Sequence, residues 1–175
     1  DIEPSQTTKS DSSDAHTKIR RSLEQDQFFS EYWVGSFLAG SYARDTAIRP
    51  KRVGDEYERA DVDIIIVTNF DEGGDPTGVL NVLAKYARNQ GDVVELINRR
   101  SIRVVTSKAE IDLVPVFKTW GAYKIADREI DGWTATNPPE HTNWSGARNT
   151  EFGGRFKPMV KLFKWWRREN RSGLR

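Results

Sequence analysis

The chain has 175 residues, of which 37% are hydrophobic and 30% are charged, a composition typical of one soluble globular domain with a hydrophobic core. It contains no cysteine, which excludes disulfides, thiolate nucleophiles and cysteine-ligated zinc. Only two histidines are present, which argues against a histidine-based metal site or catalytic triad. No apolar run approaches the ~20 residues of a transmembrane helix, and the N-terminus lacks signal-peptide features, so we expect a soluble, cytoplasmic protein.

The net charge is only +1, but basic residues are concentrated at the C-terminus. Between Arg155 and Arg175 there are eight basic residues and one acidic residue, Glu169. Such a concentration favours ligands that carry phosphate groups, although a solvated helix face has the same composition.

The first half of the chain predicts two helices and two strands. The predicted segments are a leader over 1–14 (flexible, or the fringe of the first helix), a helix over 15–33, a strand over 34–38, a short helix over 41–47 stopped by Pro50, a mobile loop over 51–59 and a strand over 61–70.

The second half predicts one helix, several strands and a long last helix. The segments are a helix over 79–89, strands over 93–97, 101–106 and 111–117, a strand or hairpin over 121–133, a break at Asn137-Pro138-Pro139 and a helix over 152–170. The last helix carries one apolar stripe, formed by Phe156, Met159, Val160, Phe163 and Trp166. This order predicts a single α/β or α+β domain over residues 15–175.

Three aspartates precede apolar strand segments. Asp61 and Asp63 open the run Ile64–Val67, and Asp112 opens a second apolar run. Alternate residues of a strand point to one face, so Asp61 and Asp63 can share a face, and a neighbouring strand would bring Asp112 to them. The sequence shows no evident cation beside this cluster, and three converging carboxylates are costly unless metal ions neutralise them. Hard oxygen ligands select Mg²⁺ or Mn²⁺, and a pair of such ions serves phosphoryl displacement.

A small-residue turn precedes the first Asp pair. Gly40 permits close backbone approach, and Ser41 offers a hydroxyl and an amide at a helix start, where phosphate binds well. Taken alone, this is a serine N-cap after a glycine turn. Combined with the acidic cluster, it predicts a cradle for a triphosphate.

Together these residues resemble the nucleotidyltransferases of the polymerase β superfamily, whose pattern is Gly-Ser, Asp-x-Asp and a third Asp on a neighbouring strand. The finer resemblance is to the CD-NTases, bacterial relatives of cyclic GMP–AMP synthase. The stretches that carry it are Gly40–Ile48, Asp61–Val67, Ile111–Val116 and Phe156–Trp166. The resemblance implies a polymerase β-type core, in which a mixed sheet is flanked by helices and a long spine helix lies at the C-terminus.

The resemblance also implies roles for individual residues. Gly40 and Ser41 would hold the phosphates of the donor nucleotide. Asp61, Asp63 and Asp112 would bind two Mg²⁺ or Mn²⁺ ions and form the catalytic set. Lys164 would contact the triphosphate, and Lys161, one turn earlier, is a weaker second candidate.

The implied activity is synthesis of cyclic or linear oligonucleotide second messengers from ATP, GTP, UTP or CTP, in antiphage (CBASS) signalling within bacteria. A separate effector protein would respond to the product, and neither a membrane nor a nucleic acid is required. Family members continue beyond this point with a helical lobe, so we expect that lobe to be absent or truncated here. The alternatives are a minimal nucleotidyltransferase that modifies a small molecule, protein or tRNA, and an inactive nucleotide-binding domain.

Several other residues are weaker candidates. Arg44 and Thr46 follow the glycine turn and could reach phosphate, and Arg103 could touch the acceptor nucleotide. Trp120, Trp133 and Trp144 could stack on a base, although single tryptophans are more often core residues. The nucleotides used, the linkage, the ring size, any activator and the oligomeric state are not specified by the sequence.

Overall fold

The computed structural model describes residues 2–53, 56–89 and 93–170. The helices are α1 (Gln6–Gln25), α2 (Gly40–Ala43), α3 (Pro76–Asn89), α4 (Pro138–Glu151) and α5 (Phe156–Glu169). The strands are β1 (Trp33–Ala39), β2 (Arg52–Val53), β3 (Glu56–Tyr57), β4 (Ala60–Thr68), β5 (Val93–Ile97), β6 (Ile102–Val105), β7 (Ala109–Thr119), β8 (Ala122–Asp127) and β9 (Gly132–Thr136).

Seven strands form one mixed sheet. Its order is β1-β4-β7-β6-β5, with β8 paired to β7 and β9 paired to β8. The β4–β7 pair is parallel, and the other pairs are antiparallel. Strands β2 and β3 form a separate two-stranded ladder. The predicted α/β domain with a mixed sheet flanked by helices is therefore confirmed.

The main core lies between the sheet and helices α1 and α3. Val62, Ile64 and Ile66 of β4 pack there with Leu23 of α1 and Leu83 of α3, all at most 1% exposed. Because side chains alternate along a strand, the odd-numbered residues of β4 point to the opposite face, where a second cluster forms around Ile65 and Val67. Asp61 and Asp63 belong to that odd-numbered set, so they lie on the sheet face opposite the main core.

Several predicted boundaries in the first third of the chain were wrong. Helix α1 begins at Gln6, where the Ser5 hydroxyl accepts a hydrogen bond from the Thr8 amide, so most of the expected leader over 1–14 is helical. The helix ends at Gln25 rather than Trp33. The expected loop over 51–59 contains β2 and β3, with residues 54–55 outside the described part of the chain.

The predicted last helix over 152–170 corresponds to α5, which begins four residues later, at Phe156. The helix that precedes it, α4, was not predicted. The Asn137-Pro138-Pro139 break is the start of α4: Asn137 caps it, and proline suits the first turn, where no intrahelical N–H bond is lost. Gly153 and Gly154, with φ of +58° and +81°, separate α4 from α5. Such φ values are accessible to glycine without strain.

The predicted apolar stripe on the last helix is largely exposed rather than packed. Met159, Phe163 and Trp166 of α5 are 56%, 65% and 49% exposed, whereas Lys161 is only 4% exposed. Within the described residues, no helix combines the length and apolar character needed to cross a membrane.

Candidate active site

The parallel pairing of β4 with β7 brings the three aspartates together. Asp63 lies directly opposite Asp112 in the register, and Asp61 is two residues earlier on the same face of β4. One carboxylate oxygen from each side chain lies within 4.8 Å of the others. The structure therefore places the predicted catalytic and metal-binding carboxylates in one cluster, which we call the carboxylate triad.

A cation from the chain does accompany the triad, contrary to the expectation from sequence. Arg103 on β6 lies opposite Asp112 in the antiparallel β6–β7 register. Its Nε and Nη2 atoms donate to the two carboxylate oxygens of Asp112 at 3.1 and 2.9 Å. Nη2 is also 3.7 Å from Asp61 Oδ1, and Nη1 is 3.4 Å from Glu110 Oε2. Arg103 thus forms a two-pronged ion pair with one member of the triad and approaches a second.

The electrostatics of the triad disfavour its fully ionised state. Burial, followed by the nearby charges of Asp63 and Asp112, raises the pKa of Asp61 to about 6, and Arg103 opposes this only in part. Burial and the Asp112 carboxylate likewise raise the pKa of Asp63. The hydrogen bond to Asp112 raises the pKa of Arg103 above its usual value. One guanidinium therefore leaves the triad incompletely neutralised, as expected where carboxylates crowd together.

Gly40 makes room for the triad. The residue has φ +63°, and a Cβ atom at this position would lie 1.6 Å from Asp63 Oδ2. The antiparallel β1–β4 register sets this proximity, since Ala39 pairs with Asp63. Any residue other than glycine would both strain the turn and displace the carboxylate.

Ser41, Asp61 and Lys164 line one cavity of about 490 Å³ beside the triad. The Lys164 ammonium donates to the Thr46 carbonyl oxygen at 2.9 Å, which anchors it above the turn that follows α2. Burial, together with the nearby Arg44 charge, lowers the pKa of Lys164. A second cavity, of about 720 Å³, lies on another side of Lys164 and is also lined by Arg44, Thr46 and Trp144. Lys164 therefore faces both cavities.

Lys161 is placed differently from Lys164, although both belong to α5. Its ammonium is almost fully buried and bonds Glu3 at 2.8 and 3.0 Å and Asp45 at 3.0 Å. Burial acts to lower its pKa, but these hydrogen bonds raise it above the usual value. Lys161 joins the N-terminal segment and the α2 turn to α5, and it does not line the cavities that Lys164 lines.

The three tryptophans considered from sequence have separate surroundings. Trp133 packs edge-on against Phe117 and donates to the Gly74 carbonyl at 3.1 Å, as a core residue does. Trp120 is fully exposed. Trp144 packs against Phe156 with ring centroids 5.6 Å apart and lines the 720 Å³ cavity.

The donor set of the triad fits a hard divalent cation. Three carboxylates supply only oxygen ligands, which suits Mg²⁺ and Mn²⁺ and not softer metals. Asp61, with its side chain 52% exposed, is open to an incoming ion and its nucleotide. The Asp112 side chain is only 13% exposed, so it is less accessible than that of Asp61, and it is bonded by Arg103.

The mixed sheet, with its carboxylates on two parallel strands after a Gly-Ser turn, defines a nucleotidyltransferase core of the polymerase β type. Residues 1–149 match the family model of the Second Messenger Oligonucleotide or Dinucleotide Synthetase domain. Because this match covers most of the chain, the chain belongs to that family. The predicted membership among the CD-NTases is thereby confirmed.

Curated relatives are similar over the whole chain. The chain is 46% identical over 176 residues to the cyclic AMP-AMP-AMP synthase of an Acinetobacter species, an alignment that covers 100% of this chain and 51% of the relative. It is 25% identical over 234 residues to the cyclic AMP-AMP-GMP synthase of Enterobacter hormaechei, covering 99% of this chain and 60% of the relative. The chain thus spans about half the length of the curated relatives it matches.

Solved structures show the same fold. Escherichia coli MS115-1 CdnC, in its complex with HORMA-deltaN, superposes with a TM-score of 0.73 at 19% identity, covering 99% of this chain and 55% of that chain. The Rhodothermus marinus CdnE c-UMP-AMP synthase superposes with a TM-score of 0.69 at 18% identity, covering 99% of this chain and 66% of that chain.

Proposed function

We propose that this protein is a metal-dependent nucleotidyltransferase that joins nucleoside triphosphates into cyclic or linear oligonucleotide second messengers and releases pyrophosphate. The observation that carries this proposal is the carboxylate triad, assembled from two parallel strands directly beside the Gly40-Ser41 turn. A domain that only bound nucleotides would not require three converging carboxylates that repel one another.

In this proposal the triad is the centre of the reaction. Asp61 and Asp63 would hold two Mg²⁺ or Mn²⁺ ions, and Asp112 would complete the site nearer the acceptor nucleotide. When bound, the ions supply positive charge to the phosphates and to the attacking hydroxyl. Asp112 helps to take the proton of the acceptor's ribose hydroxyl, whose oxygen forms a bond to the α-phosphorus as the bond to the β-phosphate oxygen breaks and pyrophosphate leaves.

The phosphate tail of the donor lies, in this proposal, between the Gly40-Ser41 turn and Lys164. Ser41 and Lys164 line the same 490 Å³ cavity as Asp61, so a triphosphate there would reach both the metal site and a lysine. One of the three ammonium donors of Lys164 is used by the Thr46 carbonyl, which fixes the group and leaves donors for phosphate. Because the Lys164 ammonium is already in position before the reaction, its charge is well suited to stabilise the departing pyrophosphate. We leave Lys161 out of this binding site, because Glu3 and Asp45 neutralise it.

We propose ATP as the principal substrate and a cyclic adenylate as the product. The support is the 46% identity to a cyclic AMP-AMP-AMP synthase, against 25% and 22% for two relatives named for products that contain GMP. We further propose an antiphage role in the bacterial cytoplasm, exerted through an effector protein that binds the product. The match to a second messenger synthetase domain supports this role.

Product analysis tests this proposal directly. The protein is incubated with each nucleoside triphosphate, alone and in combination, with Mg²⁺ or Mn²⁺, and the products are identified by mass spectrometry. We expect pyrophosphate and an adenylate oligonucleotide from ATP, abolished in Asp63→Asn. Asp131→Asn is the matched control, since it removes an exposed carboxylate at φ +46°, a conformation that asparagine tolerates.

Two outcomes would contradict the proposal. Transfer of a nucleotide to an added small molecule, protein or tRNA, without any oligonucleotide, would instead identify a minimal nucleotidyltransferase. Metal-dependent ATP binding without turnover, in this chain and in a longer protein that includes it, would identify a nucleotide-binding domain.

A further inference from the structure

The Arg103 side chain takes up a position that a metal ion shared by the triad would contest. Its guanidinium bonds both oxygens of Asp112 and lies 3.7 Å from Asp61. Mg²⁺ binds carboxylate oxygens at about 2.1 Å, so an ion shared by Asp61 and Asp112 would lie within a few ångströms of the guanidinium. Two cations at that separation repel strongly in a partly buried site.

We propose that Arg103 is an internal counter-cation that competes with the metal ion at Asp112. In the metal-free protein the guanidinium neutralises part of the triad and holds Asp112. Binding of the ion nearest Asp112 then requires the guanidinium to leave that carboxylate. This inference rests on the proposed metal dependence of the site. Arg103 is a positioning residue in this scheme, because it acts on the metal ion only by way of Asp112.

The surroundings of Arg103 supply an alternative partner for the displaced guanidinium. Glu110 lies two residues before Asp112 on β7, and its Oε2 is already 3.4 Å from Arg103 Nη1. The Arg103 side chain is 30% exposed and that of Glu110 is 28% exposed, so a rotation towards Glu110 keeps the charge paired and open to water. In this proposal the guanidinium moves from Asp112 to Glu110 when the ion binds, and only its position at Asp112 opposes the ion.

The competition predicts opposite effects of Arg103→Met on stability and on metal affinity. Without metal, the variant should unfold at a lower temperature, because the triad loses its one directly bonded cation among the described residues. The variant should also bind the Mn²⁺ ion nearest Asp112 at least about tenfold more tightly than the unaltered protein does, because the competing charge is gone. Arg103→Lys should be intermediate, since an ammonium keeps the charge but not the planar fork.

Isothermal titration with Mn²⁺, in the presence and absence of a non-hydrolysable ATP analogue, measures the affinity, and thermal unfolding in EDTA measures the stability. Arg88→Met, which removes an exposed arginine from α3, controls for net charge. In an Asp112→Asn background the tightening caused by Arg103→Met should vanish, because the shared carboxylate is then neutral.

The outcomes separate this inference from the proposed function. Weaker or unchanged Mn²⁺ binding in Arg103→Met, while the unaltered protein binds Mn²⁺, would overturn the inference and show that Arg103 only orients Asp112. Mn²⁺ binding by Arg103→Met but not by the unaltered protein would support it. No Mn²⁺ binding by either protein would overturn the metal-dependent function itself.

Discussion

The Oδ2 atom of Asp63 lies where a side chain on Gly40 would begin, 1.6 Å from the position of an added Cβ atom. The turn that is proposed to hold phosphate and the carboxylate that is proposed to hold metal are thus in direct contact. This contact fixes the spacing between the turn and the carboxylate, and it makes the glycine a requirement of the proposed metal site as well as of the turn.

Gly40→Ala should abolish activity beyond what backbone strain explains. Alanine at φ +63° costs about 1–2 kcal/mol, and its Cβ atom must also push Asp63 out of place. Misplacing a catalytic group by about 1 Å can cost about 100-fold in rate. We expect at least that loss, with Mg²⁺-dependent thermal stabilisation by ATP also lost.

Gly121→Ala is the matched control for this prediction. Gly121 has φ +75°, but a Cβ atom there meets nothing within 4 Å. The substitution therefore carries a similar strain without the clash, and it should lower the unfolding temperature while leaving ATP stabilisation intact. Equal loss of ATP stabilisation in both variants would show that strain, and not the Asp63 contact, explains the Gly40 result.

Lys164→Met should lower turnover more than it lowers stability. Its ammonium is positioned by Thr46 beside the cavity that Ser41 and Asp61 line. If this charge stabilises the departing pyrophosphate as proposed, its removal should reduce kcat/KM by about 100- to 1,000-fold. Steady-state kinetics with ATP measure this, and Arg167→Met, at an exposed position of the same helix, should remain within a few-fold of the unaltered protein.

Lys161→Met should show the reverse pattern. The buried ammonium bonds Glu3 and Asp45, whose side chains are 44% and 66% exposed and are solvated once it is removed. The loss of these hydrogen bonds should cost about 1–3 kcal/mol of unfolding free energy, measured by denaturant titration. ATP affinity should change little, and a tenfold weaker affinity would return Lys161 to the candidate phosphate-binding set.

The triad was predictable from sequence because each of its features is local. Asp61 and Asp63 open a strongly apolar run, and Asp112 repeats that layout, so parallel pairing of the two strands was sufficient to bring them together. The position of Arg103 was also encoded nearby: the turn at Thr106, closed by its hydrogen bonds to Ala109, folds β6 onto β7 and sets Arg103 opposite Asp112. Recognising that hairpin register would have revealed the cation.

Other features were not predictable because they depend on distant or opposing signals. The pairing of Lys161 with Glu3 joins positions 158 residues apart, and helical periodicity gives no sign of it. Helix α4 was missed because Pro138 and Pro139 suggest a break, whereas in the first turn of a helix they are tolerated. The apolar face of α5 predicted burial, but Phe163 and Trp166 are exposed within the described part of the chain.

The contribution of Asp61 to the stability of the metal-free protein should fall between about pH 4 and pH 6, and the metal affinity should rise over the same range. Burial and the neighbouring carboxylates raise the pKa of Asp61 from 3.8 to about 6, so in this window the folded protein binds a proton that the unfolded chain has released. Stability from this group is therefore present below pH 4 and is lost as the pH rises through 6. Because the side chain is half exposed, the effect should be about 1 kcal/mol or less.

Thermal unfolding in EDTA, compared between the unaltered protein and Asp61→Asn, isolates this contribution, since the other carboxylates are common to both. The variant should gain stability relative to the unaltered protein as the pH rises from 4 to 7. Conversely, Mn²⁺ must displace the proton from Asp61, so its affinity for the unaltered protein should increase by up to about tenfold per pH unit below 6 and then level off. A Mn²⁺ affinity that stays constant from pH 5 to pH 7.5 would show that the ion does not bind Asp61. A ligand with a pKa near 6 must lose its proton to bind the ion, so its affinity would change with pH over this range.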